Sequence, residues 1–278
     1  MTDQHLSRGR IRIRRHSLFV RATHAATAAC VLILMASGLQ ILNAHPAFYI
    51  GEASRFDRPV LAAESVPGRD GSPRSRLVVG GAAIDASGVL GATPSADGRL
   101  AAGAVPSVLT LPGTPDLGAG RRWHFFFAWS LILIGALALS VSAASGRLRR
   151  DLLPGRRHLI ALRRDVVDHI KFAFPKGEAA RSYGPLQRLT YALVLFLLLP
   201  LMVLTGFAMS PMIDARVPFL TALFGGRQTA RLLHFAGFSA VAGFLAIHLA
   251  MIAAAGPFNL LRSMITGGYV IRSEGSKS

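Results

Sequence analysis

Four of the nine histidines, His24, His124, His234 and His248, fall inside stretches apolar enough to cross a membrane. An imidazole in hydrocarbon is rare, because an ionisable group there must face the protein interior or a partner to offset its desolvation. In RLLHFAGFSAVAGFLAIHLAM, residues 231–251, His234 and His248 lie fourteen positions apart. That is nearly four helical turns, so the two project from almost one face, about 21 Å apart along the axis. One helix therefore offers an imidazole at each of two depths.

The elements that must carry them are four apolar runs, at about 18–43, 123–144, 186–209 and 232–255. Each reaches the roughly 20 residues that a helix needs to cross a hydrocarbon core of about 30 Å. With 51% hydrophobic residues and a mean hydropathy of +0.43, the chain lies above the soluble globular range. The expected fold is an all-α membrane protein, a four-transmembrane-helix bundle forming one domain over residues 1–278.

The net charge of +17 follows the membrane rather than a nucleic acid. Arg8, Arg10, Arg12, Arg14, Arg15 and Arg21 lie at the start of the first run, and Arg147, Arg149, Arg150, Arg156, Arg157, Arg163, Arg164, Lys171, Lys176 and Arg181 follow the second. Basic residues beside span ends stay on the cytoplasmic side. Both termini are therefore expected in the cytoplasm, and residues 45–120 in the periplasm. The first run is too long for a signal-peptide core and lacks a small-residue cleavage site, so it is expected to remain as a span. Cys30, the only cysteine, excludes a disulfide framework, a thiolate cluster and covalent haem attachment.

The connections carry further signals. Residues 45–120 are rich in Gly, Ala, Pro and Ser and include a hairpin-like RLVVGGAAIDASGVLG; the segment is either a loose insertion or a docking surface for an external partner. Between spans two and three, LIALRRDVVDHIKFAF has helical apolar spacing and predicts an amphipathic helix on the cytoplasmic membrane surface.

With this topology, His24 shares a depth with His248, and His124 with His234. Two imidazoles per site without a carboxylate or thiolate suit a low-spin haem, whose porphyrin supplies the other four nitrogens. The expectation is two non-covalent b haems, an inner one on His24 and His248 and an outer one on His124 and His234. Gly38 and Gly206 either let a flat macrocycle approach the backbone or serve plain helix packing. His169, on the amphipathic segment, competes for the inner site. Arg21, Arg121, Arg122 and Arg231 serve either haem propionates or topology.

The pieces RATHAATA, GLQILNAHPAFYIGEASRFDRPVL, GRRWHFFFAWSLIL, SYGPLQRLTY, LLPLMVLTGFAMSP, GGRQTARLLHFAGF and HLAM together resemble the four-helix membrane cytochrome b family. That family includes bacterial cytochrome b561, the hydrogenase cytochrome b subunit and the formate dehydrogenase gamma subunit. Within it, the chain looks most like the thiosulfate-reductase-like subunits that accompany periplasmic molybdopterin oxidoreductases. The resemblance implies the same histidine pairing, electron exchange with quinone, and a quinone site opening span three. There Tyr183 and Gln187 match the family's pattern, while Gly184 replaces its asparagine; otherwise the two are an interfacial anchor pair. The function expected is electron transfer between a periplasmic, molybdopterin-containing oxidoreductase and the quinone pool. A free-standing cytochrome b561 carrier and a haem-free membrane anchor or transporter are the alternatives.

Overall fold

A computed structural model of the chain describes residues 4–6, 10–69, 71–94, 100–171, 173 and 184–272. Among these, four helical stretches are long and apolar enough to cross a membrane. The first two are α1 (Leu18–Ala44) and α2 (Leu117–Ala144). After α3 (Arg156–Ile170), the third span combines α4 (Pro185–Leu193), a π-helical turn (Val194–Leu198) and α5 (Leu199–Ala208). The short α6 (Pro211–Asp214) and α7 (Pro218–Leu223) lead to the fourth span, α8 (Arg227–Ala255), and then α9 (Pro257–Thr266). The chain is a multi-pass membrane protein.

Two spans begin earlier than the hydropathy predicts, α2 at Leu117 and α8 at Arg227. Hydropathy marks the part of a helix that meets hydrocarbon, whereas the helix itself starts where its first amides find acceptors. For α2 that acceptor is Asp116, whose Oδ1 takes a 2.8 Å bond from the Ala119 amide. The π turn has a local cause in Pro200, which lacks an amide proton and whose ring crowds the carbonyl four residues earlier.

The expectation of an all-α chain is corrected outside the spans. Nine strands are present among the described residues: β1 (Gln4–Leu6), β2 (Arg10–Arg14), β3 (Ala47–Phe48), β4 (Leu61–Pro67), β5 (Pro73–Val79), β6 (Ala82–Asp85), β7 (Gly91–Pro94), β8 (Leu100–Gly103) and β9 (Gly268–Arg272). Gly80 and Gly81, both at positive φ, turn β5 into β6, and this is the hairpin legible in the sequence.

The chain forms two compact units, and each span contributes a segment to each. One comprises residues 28–132 and 201–239. In it β3, β4, β5 and β6 form an antiparallel sheet, and β7 pairs with β8. The sheet-bearing connection is tied to helices at several points. Asn43 exchanges two bonds with the Val105 backbone, at 3.2 and 2.8 Å. Gln40 donates to the Thr114 carbonyl at 2.9 Å, and the Leu111 amide donates to Ala36 O at 3.1 Å. The Gly51 carbonyl receives the Gln228 and Thr229 amides at the start of α8, at 3.0 and 3.3 Å, and so caps that helix from a distant loop. A loose insertion would make no such set of contacts.

The other unit comprises residues 1–27, 133–200 and 240–278. Here β1, β2 and β9 form an antiparallel sheet, and the Arg15 guanidinium lies over the Tyr269 ring, 4.7 Å from its centroid. The helix legible in LIALRRDVVDHIKFAF is α3, and its Asp165 holds the start of the third span: Oδ2 accepts the Leu186 amide at 2.7 Å. Replacing Asp165 with alanine is expected to cost about 1 kcal/mol, the usual worth of an N-terminal cap. Thermal unfolding of the purified protein would register it, and an unchanged midpoint would refute the role.

His16, just before α1, is buried, and its Nδ1 has no hydrogen-bond partner. Its pKa is pushed down to about 4, first by burial and then by Arg15, Arg147, His24 and Arg21. A histidine held neutral in the fold contributes stability that is full above its unfolded pKa of about 6.5 and is lost as pH falls toward 4. The loss across that window is about 3 kcal/mol. His16→Gln is therefore expected to flatten the acid limb of the stability profile between pH 6.5 and 4. Identical wild-type and variant slopes there would sink the assignment.

Candidate functional site

Each unit brings together one of the histidine pairs expected from depth. In the unit of residues 28–132 and 201–239, the His124 and His234 ring centroids are 6.3 Å apart, with their planes at 64°. All four spans contribute to their surroundings. From α1, the Ser37 hydroxyl lies 3.1 Å from His124 Nδ1; from α5, the Thr205 hydroxyl lies 3.0 Å from His234 Nδ1. Both hydroxyl residues are fully buried, at 0% exposure. Buried polar atoms in hydrocarbon need partners of this kind, since water is not there to supply them.

Glycine follows each hydroxyl residue and leaves room for the ring. A Cβ on Gly38 would stand 3.4 Å from His124 Cε1, and one on Gly206 would stand 3.6 Å from His234 Cε1. Both glycines therefore lie against the imidazoles. The aromatic shell continues with Trp129 against Phe207, 5.6 Å between centroids, and Phe235 against Phe48, at 4.5 Å.

In the other unit, His24 and His248 have centroids 6.5 Å apart and planes tilted by 45°. Phe244, one turn before His248 on α8, stacks on it at 5.6 Å. His169 is held on its own helix, with Nδ1 2.7 Å from the Asp165 carbonyl oxygen.

The remaining sequence candidates divide. Tyr183 lies outside the described residues. Gln187 is engaged locally: its Oε1 accepts the Gly184 amide at 3.2 Å and closes the first turn of α4. A Cβ on Gly184 would stand only 3.3 Å from an Asp165 carboxylate oxygen, so glycine admits the carboxylate that caps this helix. Arg231 binds backbone, donating from Nη1 to Ala47 O at 3.0 Å and from Nη2 to His45 O, with its guanidinium over the Phe48 ring. Arg121 stacks on Phe125 at 5.7 Å. Ser37, Thr205 and Asp165 were not singled out from sequence. The signal available for the first two is a hydroxyl residue directly before glycine within an apolar span, in SG and TG.

Four apolar spans, with two pairs of histidines brought together among them, define a multi-pass helical membrane protein. The family described as prokaryotic cytochrome b561 matches residues 15–267, and the chain belongs to that family. It is also similar to the putative protein-methionine-sulfoxide reductase subunit YedZ1 of Azospira oryzae, at 32% identity over 149 residues, covering 54% of this chain and 71% of that relative. No solved structure matches the chain.

The structure does not bear out the cofactor expectation. From spacing, each histidine pair is assigned a b haem, and the two haems a relay between a redox partner and quinone. Among the described residues, no group of three or more His, Cys, Asp or Glu side chains comes together to hold a metal ion. The four histidines are divided between two units, no third ligand side chain joins either pair among the described residues, and Cys30 is buried and free. The two b haems, the diheme relay and its inner quinone step are therefore not assigned to this chain.

Proposed function

We propose that this chain is the membrane-embedded anchor of an oxidoreductase complex in a bacterial inner membrane, with residues 45–120 as the face on which the partner docks. The observation that carries this reading is the folded state of that connection. Its sheet, its cap on α8 and the Arg231 contacts give it a set shape, which a docking face needs and a linker does not. Membership in the cytochrome b561 family supports a redox setting, as does a relative named as a reductase subunit. The likeness to thiosulfate-reductase-like subunits favours a molybdopterin enzyme as the partner. The arginine distribution favours cytoplasmic termini, which leaves residues 45–120 outside. His24, His248, His124 and His234 are the functional residues of the spans, since an imidazole there has to be offset by a specific role or partner.

The test is affinity purification of the full chain from its native membranes. An oxidoreductase in near-equal amount is expected with the wild type, and its loss is expected when the exposed Ile50 and Phe56, 62% and 76% accessible, are both replaced by aspartate. A chain that purifies alone, or a partner retained by the double variant, would overturn the docking assignment. The same preparation checks the cofactor correction. A reduced-minus-oxidised b-type band that vanishes with His124→Ala and His24→Ala together would reverse it.

A further inference from the structure

We infer that Ser37 and Thr205 are positioning residues that hold His124 and His234 in their Nδ1-protonated tautomers, leaving the Nε2 lone pair of each ring free to accept. This rests on the proposal that the histidine pairs are the functional residues of the spans, and it assigns roles to two side chains beside them.

The two arrangements are built alike on different helices. The Ser37 hydroxyl donates its single proton to the Ile33 carbonyl four residues back, at 2.7 Å. The Thr205 hydroxyl donates in the same way to Leu201 O, also at 2.7 Å. A second carbonyl lies near each, Leu34 at 3.3 Å and Met202 at 3.2 Å, so the proton stays with the helix backbone. A hydroxyl whose proton is already committed can only accept from a further neighbour. The imidazole nitrogens at 3.1 and 3.0 Å are Nδ1 of His124 and Nδ1 of His234, and each must therefore carry the hydrogen. In a neutral ring this leaves Nε2 as the acceptor.

Packing fixes each ring as well as its proton. Gly38 and Gly206, each next in sequence to the hydroxyl residue, lie against the Cε1 edges of the same two rings. The repeated pair, hydroxyl on Nδ1 and glycine on Cε1, sets both orientation and tautomer. A histidine side chain in water favours the Nε2-protonated tautomer, so the hydroxyls, together with the Leu34 and Met202 carbonyls that also partner the His124 and His234 rings, invert an intrinsic preference. Among the described residues, no hydroxyl holds His24 or His248 in this way, and the two pairs differ in how far they are preorganised.

The experiment is nitrogen-15 NMR of the full-length protein, labelled at histidine and held in detergent micelles above pH 7. In the wild type, His124 and His234 are expected to show the Nδ1-protonated pattern. Ser37→Ala should move His124 alone toward the Nε2-protonated form, changing its tautomer ratio by about tenfold, the scale of one net hydrogen bond. Thr205→Val should do the same for His234 alone, while the conservative Ser37→Thr and Thr205→Ser restore the wild-type pattern. A wild-type spectrum with Nε2-protonated rings would overturn the inference, as would hydroxyl-free variants that leave the tautomers unchanged. The wild-type spectrum decides even where a variant fails to fold. Failure of partner capture with the tautomers as stated would count against the docking assignment alone.

Discussion

Gly226→Ala is expected to destabilise the protein by about 4 kcal/mol, a large share of the roughly 5–15 kcal/mol that holds a typical domain together. Two costs combine. Gly226 has φ +110°, a conformation that a residue with a Cβ adopts only under strain, of order 1–3 kcal/mol. The added methyl would also stand 2.5 Å from the Gly51 carbonyl carbon and oxygen and 2.7 Å from the Glu52 amide nitrogen. Those atoms are backbone and have no rotamer to escape into, so overpacking adds about 1–3 kcal/mol. The loop cannot simply retreat, because Gly51 O caps α8 through the Gln228 and Thr229 amides and the Gly51 amide donates to Thr229 Oγ1 at 2.8 Å. Thermal unfolding of the purified protein should show a markedly lower midpoint, with residues 45–56 newly open to protease. A midpoint indistinguishable from wild type would mean that this contact does not exist in the membrane protein.

Arg231→Met is expected to cost about 3 kcal/mol and to loosen the start of the same segment. Hydrogen bonds from a charged donor contribute about 1.5–3 kcal/mol each, and truncation leaves both acceptors unpaired. The two acceptors are the carbonyls of Ala47 and His45, and the guanidinium also lies 5.2 Å from the Phe48 ring centroid. Phe48, only 4% exposed, stacks on Phe235 of α8, so the arginine seals a contact between helix and strand. Lysine should rescue little, because a single ammonium cannot fork to two carbonyls while lying flat on a ring. Hydrogen exchange is the direct measurement: amides of residues 45–49 should exchange faster in the variant, and wild-type protection there would rule the role out.

Both effects fall on the connection that sequence left open between loose insertion and docking surface. Gly, Ala, Pro and Ser are compatible with either. What gives the segment its shape are contacts to residues far along the chain, Gly51 to Thr229 and His45 to Arg231 among them. Composition carries no record of such partners. Motif resemblance likewise carries no record that Gln187 closes the first turn of α4 through its bond from the Gly184 amide.

Sequence by itself determined the spans, because the apolar length needed to cross hydrocarbon is a local property of the chain. It also determined which histidines meet, because helical pitch converts positions into depth, and His24 with His248 and His124 with His234 follow from counting along three helices. Tertiary structure alone decided how those rings are held. Ser37 and Thr205 reach imidazoles 87 and 29 residues away, and Asp165 caps a helix that begins about twenty residues later. It also decided that no further His, Cys, Asp or Glu side chain among the described residues joins either imidazole pair. Spacing fixes geometry within a helix, whereas a hydrogen bond between helices depends on their rotation and approach, which no single segment encodes.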